Sequence, residues 1–366
     1  MKRIDFGCWL LTMAAVGALA VPALARAAAL DAVPWSAPAS TAVVQEERVF
    51  GSAGVELSGT LYLPKDGRAL GAVVVTHSAS SATRDLPLYT HLKTMLPSLG
   101  YAVFVYDRRG SGKSGGDLAA SDYALLADDA IAAVRMLKAD PRMDPKRVGI
   151  WGQSQGGWIA VLAASRSAEV AFVVSVSAPV VTPDVQMIFY STNSLRVNGY
   201  PQAEIDQMVA TRKAVDAYMR GTGDRETAQR LVDAARLRPW FKLTYMGDTV
   251  KDRELSRWRR EIEHDPMRTL EQVGVPALMI FGAVDPIVPV DISVQRLRGA
   301  AATHPEMRVV VIGGADHAMM TSLDPKTQMD PARVTQDDPQ SPEYFGVLAA
   351  WLIEQARRQA LPACPS

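Results

Sequence analysis

The stretch Val148-Gly149-Ile150-Trp151-Gly152-Gln153-Ser154-Gln155-Gly156-Gly157-Trp158-Ile159-Ala160 decides the fold of this chain. It opens with a short β-type run, turns sharply through Gly-x-Ser-x-Gly, and continues as a helix-like apolar run. In a strand-to-helix turn this tight, the positions two before and two after the serine come too close to their surroundings for side chains, so Gly152 and Gly156 fit both places. The strained turn is predicted to lift the Ser154 hydroxyl clear of the sheet, at the positive end of the following helix.

Composition and charge are typical of a globular protein. The chain has 366 residues, of which 48% are hydrophobic and 21% are charged, so it can bury a large core. Length alone would allow two domains. The 39 basic and 39 acidic side chains give no net charge. Without an excess of positive charge, we expect no nucleic-acid partner.

The N-terminus has the pattern of a targeting segment. Basic residues precede an apolar, alanine-rich stretch at residues 6–25, and small residues follow it. We predict a signal peptide at residues 1–27, cleaved near Ala25 or Ala27, and hence an exported protein, periplasmic or secreted. Residues 28–45, which are rich in Ala, Pro and Ser, are predicted to be a flexible leader.

The alternative for the N-terminus is an uncleaved membrane anchor, since the apolar stretch is just long enough to span a bilayer. Gly17 and Pro22 interrupt it, which favours cleavage. Once the signal is removed, we expect no stable membrane span. Cys364 is then the one remaining cysteine, so the mature chain cannot form an internal disulfide.

Short apolar runs alternate with helical patterns along most of the chain. Residues 46–63 alternate between polar and apolar side chains, as an antiparallel hairpin or edge strands would. Continuous apolar runs, expected of strands buried on both faces, occupy residues 72–76, 102–106, 148–151, 171–176, 277–281 and 308–312. Strands alternating with helices predict an α/β fold, with a mainly parallel open sheet and helices on both faces.

Residues 183–266 break this rhythm, because they contain no β-type run and many charged and helix-forming residues. An insertion of this kind usually lies above the carboxyl edge of an open sheet, where ligands bind. We predict a helical lid there, between a first core part at residues 46–182 and a second at residues 267–362. The alternative is that its large apolar side chains only form a small core of the insertion itself.

A serine hydroxyl needs a base to accept its proton, and that base needs an orienting acid. His317 is the predicted base, because it lies in a Gly-rich loop just after the run at residues 308–312. His91, inside a helical pattern, and His304, in a polar segment, are predicted to be surface residues.

The acid is expected between the serine and the histidine in the chain. Asp285 follows the run at residues 277–281 directly, which places it at the same sheet edge as Ser154 and His317. Asp184 is a second candidate. Asp316 is adjacent to His317 in sequence, where two side chains rarely face each other well, and a capping role suits it better.

Two backbone N–H groups must meet the negative charge that develops on an attacked carbonyl oxygen. The predicted donors of this oxyanion hole are Gln155, just after the serine, and Ala79, in the loop after residues 72–76. Ser78 and Ser80 are the rivals of Ala79.

These stretches resemble the α/β-hydrolase superfamily from about residue 46 to residue 358. Within it, the chain is similar to bacterial exported esterases of the serine aminopeptidase-like group. The stretch Tyr106-Asp107-Arg108-Arg109-Gly110-Ser111-Gly112-Lys113-Ser114 matches that group's D-x-R-G-x-G-x-S. The order Ser154, Asp285, His317 is also that of the superfamily's triad. One departure concerns the oxyanion loop, where the family usually has His-Gly and this chain has His77-Ser78.

The resemblance also bears on Arg84, which falls where related esterases often carry an arginine; the alternative for it is an ordinary solvated charge. The resemblance and the residues together predict a serine hydrolase with no metal and no organic cofactor. We expect a carboxylesterase that cleaves short to medium acyl esters through an acyl-enzyme. A serine aminopeptidase-like peptidase, a thioesterase, a lactone hydrolase and a catalytically silent binding protein of the same fold are the alternatives. The substrate is then a small-molecule ester, and the oligomeric state stays open.

Overall fold

The computed structural model describes residues 43–79, 82–301, 303–321, 324–330 and 340–358. The predicted signal peptide, most of the predicted leader and Ser80 lie outside these residues. Within them, no helix has both the length and the apolar character needed to cross a membrane.

Eight strands form one sheet. In chain order they are β1 (Val43–Ser52), β2 (Val55–Pro64), β3 (Gly71–Thr76), β4 (Tyr101–Tyr106), β5 (Val148–Gln153), β6 (Val173–Val176), β7 (Ala277–Gly282) and β8 (Met307–Ile312). Their order in the sheet is β1-β2-β4-β3-β5-β6-β7-β8. The first two form an antiparallel hairpin, β2 pairs antiparallel with β4, and all other neighbours are parallel. The predicted hairpin and mainly parallel sheet are confirmed.

The described helices are α1 (Thr90–Ser98), α2 (Tyr123–Lys138), α3 (Gln155–Arg166), α4 (Pro183–Val197), α5 (Gln202–Arg220), α6 (Arg225–Ala235), α7 (Arg257–Glu261), α8 (Pro266–Leu270), α9 (Val290–Ala300), α10 (Pro325–Gln328) and α11 (Pro342–Arg358). Short 3-10 turns occur at Pro87–Tyr89, Pro145–Arg147 and Pro239–Leu243.

Helices cover both faces of the sheet, because alternate side chains of each buried strand point to opposite sides. Val74 and Ile150 pack on one face against α2, α3 and α9. Val73, Val75 and Trp151 pack on the other face against α1 and α11. Both layers are apolar, which explains why β3 to β7 are continuous apolar runs.

Helices α4 to α7 lie between β6 and β7 in the chain, so the insertion is helical as predicted. It has two small apolar clusters of its own, one centred on Trp240 and one on Val232. Helix α8, which follows the insertion, packs against α3 beneath the sheet's edge and leads into β7. The interpretation of the apolar side chains as an internal core holds only in part, because the cluster members Met219 and Val232 also line a cavity.

The prediction that His91 is a surface residue is wrong. Its ring lies against Tyr344 and Phe345 of α11, and its Nε2 is 3.0 Å from the Tyr344 hydroxyl. Burial lowers the pKa of His91 to about 3, so the ring is neutral at physiological pH. The helical pattern of α1 alone could not reveal this contact, because α11 is distant in sequence.

Candidate active site

Ser154 lies at the junction of β5 and α3 with φ 54° and ψ −123°, in the left-handed region that non-glycine residues rarely adopt. Its N–H donates to the Val176 carbonyl at 2.8 Å, which anchors the turn to β6. A Cβ at Gly152 would collide with the Gly156 carbonyl, and one at Gly156 would collide with the Thr76 carbonyl. Strand, turn and helix approach this closely only because both positions lack side chains.

His317 and Asp285 are joined by a hydrogen bond. Nδ1 of His317 is 2.8 Å from Oδ2 of Asp285, whose side chain is fully buried. The other carboxylate oxygen, Oδ1, accepts N–H bonds from Ile287 at 2.7 Å and Val288 at 3.2 Å. A carboxylate at Nδ1 assigns the ring proton to that nitrogen and leaves Nε2 as the basic atom.

The loop that carries His317 is also tied to β5. The carbonyl of His317 accepts a hydrogen bond from Nε2 of Gln153 at 2.7 Å, and Gln153 directly precedes Ser154 in the chain. Burial lowers the pKa of His317, but the charge of Asp285 and its hydrogen bond outweigh that effect, and the net pKa is raised. An imidazolium formed here is therefore stabilised by its carboxylate.

The three residues follow β5, β7 and β8, so they meet at one edge of the sheet. Ser154 and His317 both line a cavity of about 880 Å³, and Asp285 is hydrogen-bonded to His317. The structure thus brings together the three residues that the sequence selected. Their catalytic roles remain predictions.

The two other acids have different partners. Asp184 forms an ion pair with Arg220 at 3.0 Å. Asp316 accepts backbone N–H bonds from Ala318 at 2.8 Å and Met320 at 2.9 Å, so it caps a turn rather than a helix. The acid that contacts His317 through a hydrogen bond is Asp285.

The predicted oxyanion donors Ala79 and Gln155 both line the cavity. Gln155 is the first residue of α3, where backbone N–H groups have no acceptor within the helix. The N–H of the rival Ser78 donates to the Tyr89 hydroxyl at 3.1 Å, which makes Ser78 a weaker candidate. Ala79 therefore remains the predicted second donor.

Arg108 holds the oxyanion loop and the Ser154 turn together, a role that the sequence analysis missed. Its buried guanidinium donates to the carbonyls of His77 at 2.6 Å and Ser78 at 2.9 Å, and to Gln155 Oε1 at 3.2 Å. The D-x-R-G-x-G-x-S match gave no signal for it, because Arg108 occupies the unspecified second position and Arg109 is the arginine of the motif. Burial lowers the pKa of His77 to about 3, so its ring is neutral. Nε2 of His77 lies 2.5 Å from the Tyr106 carbonyl. These bonds fix the loop in which Ser78 replaces the usual glycine.

Arg84 is buried, so the alternative of a solvated charge is wrong. Its guanidinium lies 3.3 Å from the Asp107 carboxylate and 2.9 Å from the Glu47 carboxylate. The backbone N–H of Arg84 also donates to Asp107 Oδ1. These contacts attach the hairpin to the loop before α1, which is a structural role.

The insertion supplies much of the cavity wall. Its apolar contributors include Met187, Tyr190, Val215, Met219, Val232, Tyr245 and Met246. Four charged residues of the insertion also line the cavity: Arg212, Lys251, Arg257 and Glu261. Glu261 lies 3.1 Å from Arg257 Nε, and burial raises its pKa to about 7. The sequence did not indicate these four residues, because whether a charged helical side chain faces solvent or a cavity depends on how the helices pack.

A family model described as "Serine aminopeptidase, S33" matches residues 67–324 of the chain. Among curated proteins, the chain is 35% identical over 125 residues to the thiohydrolase apmlB of Arthrinium phaeospermum, a match that covers 34% of this chain and 39% of the relative. The chain spans about two fifths of the length of the first curated relatives it matches.

Two solved structures show the same fold at low sequence identity. The esterase Pf2001 of Pyrococcus furiosus superposes with a TM-score of 0.54 at 18% identity, over 86% of this chain and 92% of its own. Est1E of Butyrivibrio proteoclasticus, solved with ferulic acid bound, gives a TM-score of 0.52 at 14% identity, over 85% of this chain and 99% of its own.

Proposed function

The chain belongs to the serine aminopeptidase family of α/β hydrolases, and from that membership we propose that it is a carboxylesterase acting on short to medium acyl esters. The observation that carries the proposal is one cavity in which Ser154 and His317 face apolar side chains of the insertion. Burying an acyl chain against such a wall contributes roughly 0.8 kcal/mol for each CH₂.

The geometry supports an acyl-enzyme mechanism. Ser154 Oγ attacks the ester carbonyl carbon while His317 Nε2 accepts the hydroxyl proton, and Asp285 stabilises the imidazolium. The Gln155 and Ala79 N–H groups donate to the oxyanion. Collapse of the tetrahedral intermediate breaks the C–O bond, and His317 returns the proton to the leaving alcohol. Water then attacks the acyl-enzyme and gives its proton to His317. Collapse of the second intermediate breaks the bond to Ser154 Oγ, which takes the proton back from His317, and the acid is released.

An aminopeptidase would need a free carboxylate in the pocket to hold the ammonium group of its substrate, since an unpaired buried cation is costly. Asp184, the candidate from sequence, is paired with Arg220. Glu261 lines the cavity but contacts Arg257, and its raised pKa reduces its charge at neutral pH. These charges favour esters over aminoacyl amides.

Thioester hydrolysis is a second candidate. It is favoured by the 35% identity to a thiohydrolase over about a third of this chain. The same serine, histidine and oxyanion donors would serve, because only the leaving atom differs.

The test compares kcat/KM for p-nitrophenyl butyrate, a butyryl thioester and an aminoacyl p-nitroanilide of similar size. We expect the ester to be turned over fastest and the anilide slowest. A preference for the anilide that disappears in Glu261→Gln would identify a peptidase, whereas a preference for the thioester would identify a thioesterase.

The control is Ser154→Ala, which should fold normally and lose about 10⁴-fold or more in kcat, as other triads do. It should also lose labelling by a fluorophosphonate probe. Retention of most activity in the purified variant would refute a Ser154 mechanism, and absence of labelling in the wild type would indicate a silent binding protein.

A further inference from the structure

Arg212 is a buried cation in the wall of the active-site cavity. It lies on α5, is 6% exposed, and lines the cavity together with Ser154 and His317. Its neighbours along the same wall include Val215 and Met219, one and two turns further along α5. A guanidinium in such surroundings keeps its charge, because arginine does not lose its proton in proteins.

The hydrogen bonds that the protein supplies do not satisfy this guanidinium. Nη2 donates to the Thr244 carbonyl at 2.5 Å. Nε is buried and donates to no acceptor among the described residues. Burial lowers the pKa of Arg212, and the charge of Asp216 opposes that shift from a distance. Asp216 itself accepts a hydrogen bond from Trp258 Nε1 at 2.8 Å.

Other arginines of the insertion have carboxylate partners. Arg220, two turns further along α5, contacts Asp184 at 3.0 Å and Glu263 at 3.3 Å. Arg257, which shares the cavity, contacts Glu261 at 3.1 Å. Within the described part of the chain, Arg212 forms no such ion pair. A buried charge without a carboxylate in contact destabilises a fold, so its presence in a ligand cavity points to an anion that arrives with the ligand.

We propose that Arg212 forms a subsite for a carboxylate carried by the substrate at a distance from the scissile ester. This inference rests on the proposed function and narrows it to one substrate class. A guanidinium binds a carboxylate through two parallel N–H bonds, and Nε with one Nη forms such a pair of donors. The apolar wall would hold the chain between the two groups. Monoesters of aliphatic dicarboxylic acids have this combination of ester, apolar chain and anion.

The experiment uses mono-p-nitrophenyl esters of adipic, suberic and sebacic acids, each beside its neutral counterpart with a methyl-capped carboxyl group. We expect kcat/KM of the wild type to favour the anionic ester about tenfold or more at one chain length, which corresponds to about 1.4 kcal/mol. In Arg212→Met the ratio of anionic to neutral substrate should fall to one or below. Arg212→Lys should retain part of the preference, because it keeps the charge but not the paired donors.

The matched control is Arg220→Met, which removes a cation from the same helix but outside the cavity wall, and it should keep the wild-type ratio. Circular dichroism and fluorophosphonate labelling of Arg212→Met check that the fold and Ser154 are intact. A wild-type ratio at or below one at every length, or an unchanged ratio in Arg212→Met, would overturn the subsite and leave the esterase proposal standing.

Binding can also be measured without turnover. Suberate should bind to Ser154→Ala in calorimetry and should bind at least about tenfold more weakly when Arg212→Met is added. Equal binding to both proteins, or no binding to Ser154→Ala, would refute the subsite whatever the chain does to esters. A chain that hydrolyses no ester and still shows Arg212-dependent suberate binding would refute the proposed function alone.

Discussion

At the scale of single residues, the central contact is the one between His317 and Asp285. The carboxylate receives the imidazole N–H and two backbone N–H groups, so its orientation is fixed from three sides. It therefore selects one tautomer of the ring and one direction for Nε2. The charge that orients the ring is also the one that raises its pKa.

Replacing Asp285 by Asn should change both the orientation of the His317 ring and its pKa. The catalytic base must be neutral, so activity is lost as pH falls through the pKa of His317. Because Asp285 raises that pKa, Asp285→Asn should move the acid limb of kcat/KM to lower pH, while the plateau falls by about 10⁴-fold. The measurement is a pH–rate profile on a neutral ester. Asp184→Asn is the matched control and should leave both the acid limb and the plateau nearly unchanged. A larger effect in Asp184→Asn than in Asp285→Asn would mean that Asp184 is the acid.

That Ser154, Asp285 and His317 lie together could be predicted from sequence, because parallel strands end at a shared edge and each residue follows one apolar run. Arg108 and Arg212 could not be assigned. Whether an arginine is solvated or buried depends on which distant segment packs over it, and Thr244 and Gln155 are far from them in the chain.

At the scale of secondary-structure elements, β3, β5 and α3 meet at a junction where their backbones approach closely. Thr76 Oγ donates to the Gly156 carbonyl at 2.8 Å and lies 3.2 Å from the Trp151 carbonyl, so it bridges the start of the helix and the end of the strand. Around Gly152 and Gly156 the elements touch through backbone atoms and the Thr76 hydroxyl. Any added carbon must push the strand and the helix apart.

Two glycine substitutions test this junction. Gly152→Ala places a methyl group against the Gly156 carbonyl and Thr76 Oγ1, and should lower the free energy of unfolding by about 1–3 kcal/mol, with loss of activity. In Gly299→Ala, within α9, the added methyl group meets no atom within 4 Å, and the substitution should raise the free energy of unfolding by about 0.5–1 kcal/mol. Urea denaturation of both variants gives the comparison. A Gly152→Ala protein as stable as the wild type would contradict the close approach.

At the scale of the whole molecule, three histidines are buried or half-buried in different layers: His77 in the loop after β3, His91 between α1 and α11, and His264 against Tyr123 and Trp158. Burial lowers their pKa values to about 3, 3 and 4. Below about pH 6.5 the unfolded chain binds protons at these rings that the folded chain does not, so folding becomes less favourable as pH falls. The raised pKa of Glu261 has the opposite sign, because it lowers stability as pH rises from about 4.5 through 7.

His91→Asn should reduce the loss of stability in acid. Between about pH 7.5 and about pH 5, we expect the free energy of unfolding to fall by on the order of 1–2 kcal/mol less in the variant than in the wild type. Urea denaturation at the two pH values measures this double difference, which cancels the carboxylates that titrate in both proteins. Equal losses would mean that His91 becomes protonated in the folded state.

The architecture could be predicted from sequence more fully than its contacts. The apolar runs identified the strands of the parallel sheet, since burial on both faces leaves no polar positions. The packing of α11 on α1 and the charges of the cavity wall depend on pairings between distant helices, and no local pattern encodes those pairings.

Residues 177–182, helix α8 and residues 271–276 are together long enough to form the connection that the parallel strands β6 and β7 require. The insertion with helices α4 to α7 is therefore an appendage to the sheet, although it carries Arg212 and much of the apolar cavity wall. Under the proposed function, the residues that break the ester bond and those that select the substrate therefore lie in separate parts of the chain. Substrate range can then diversify by exchange of the appendage alone, and a graft from a relative with another preference should transfer that preference onto the same Ser154.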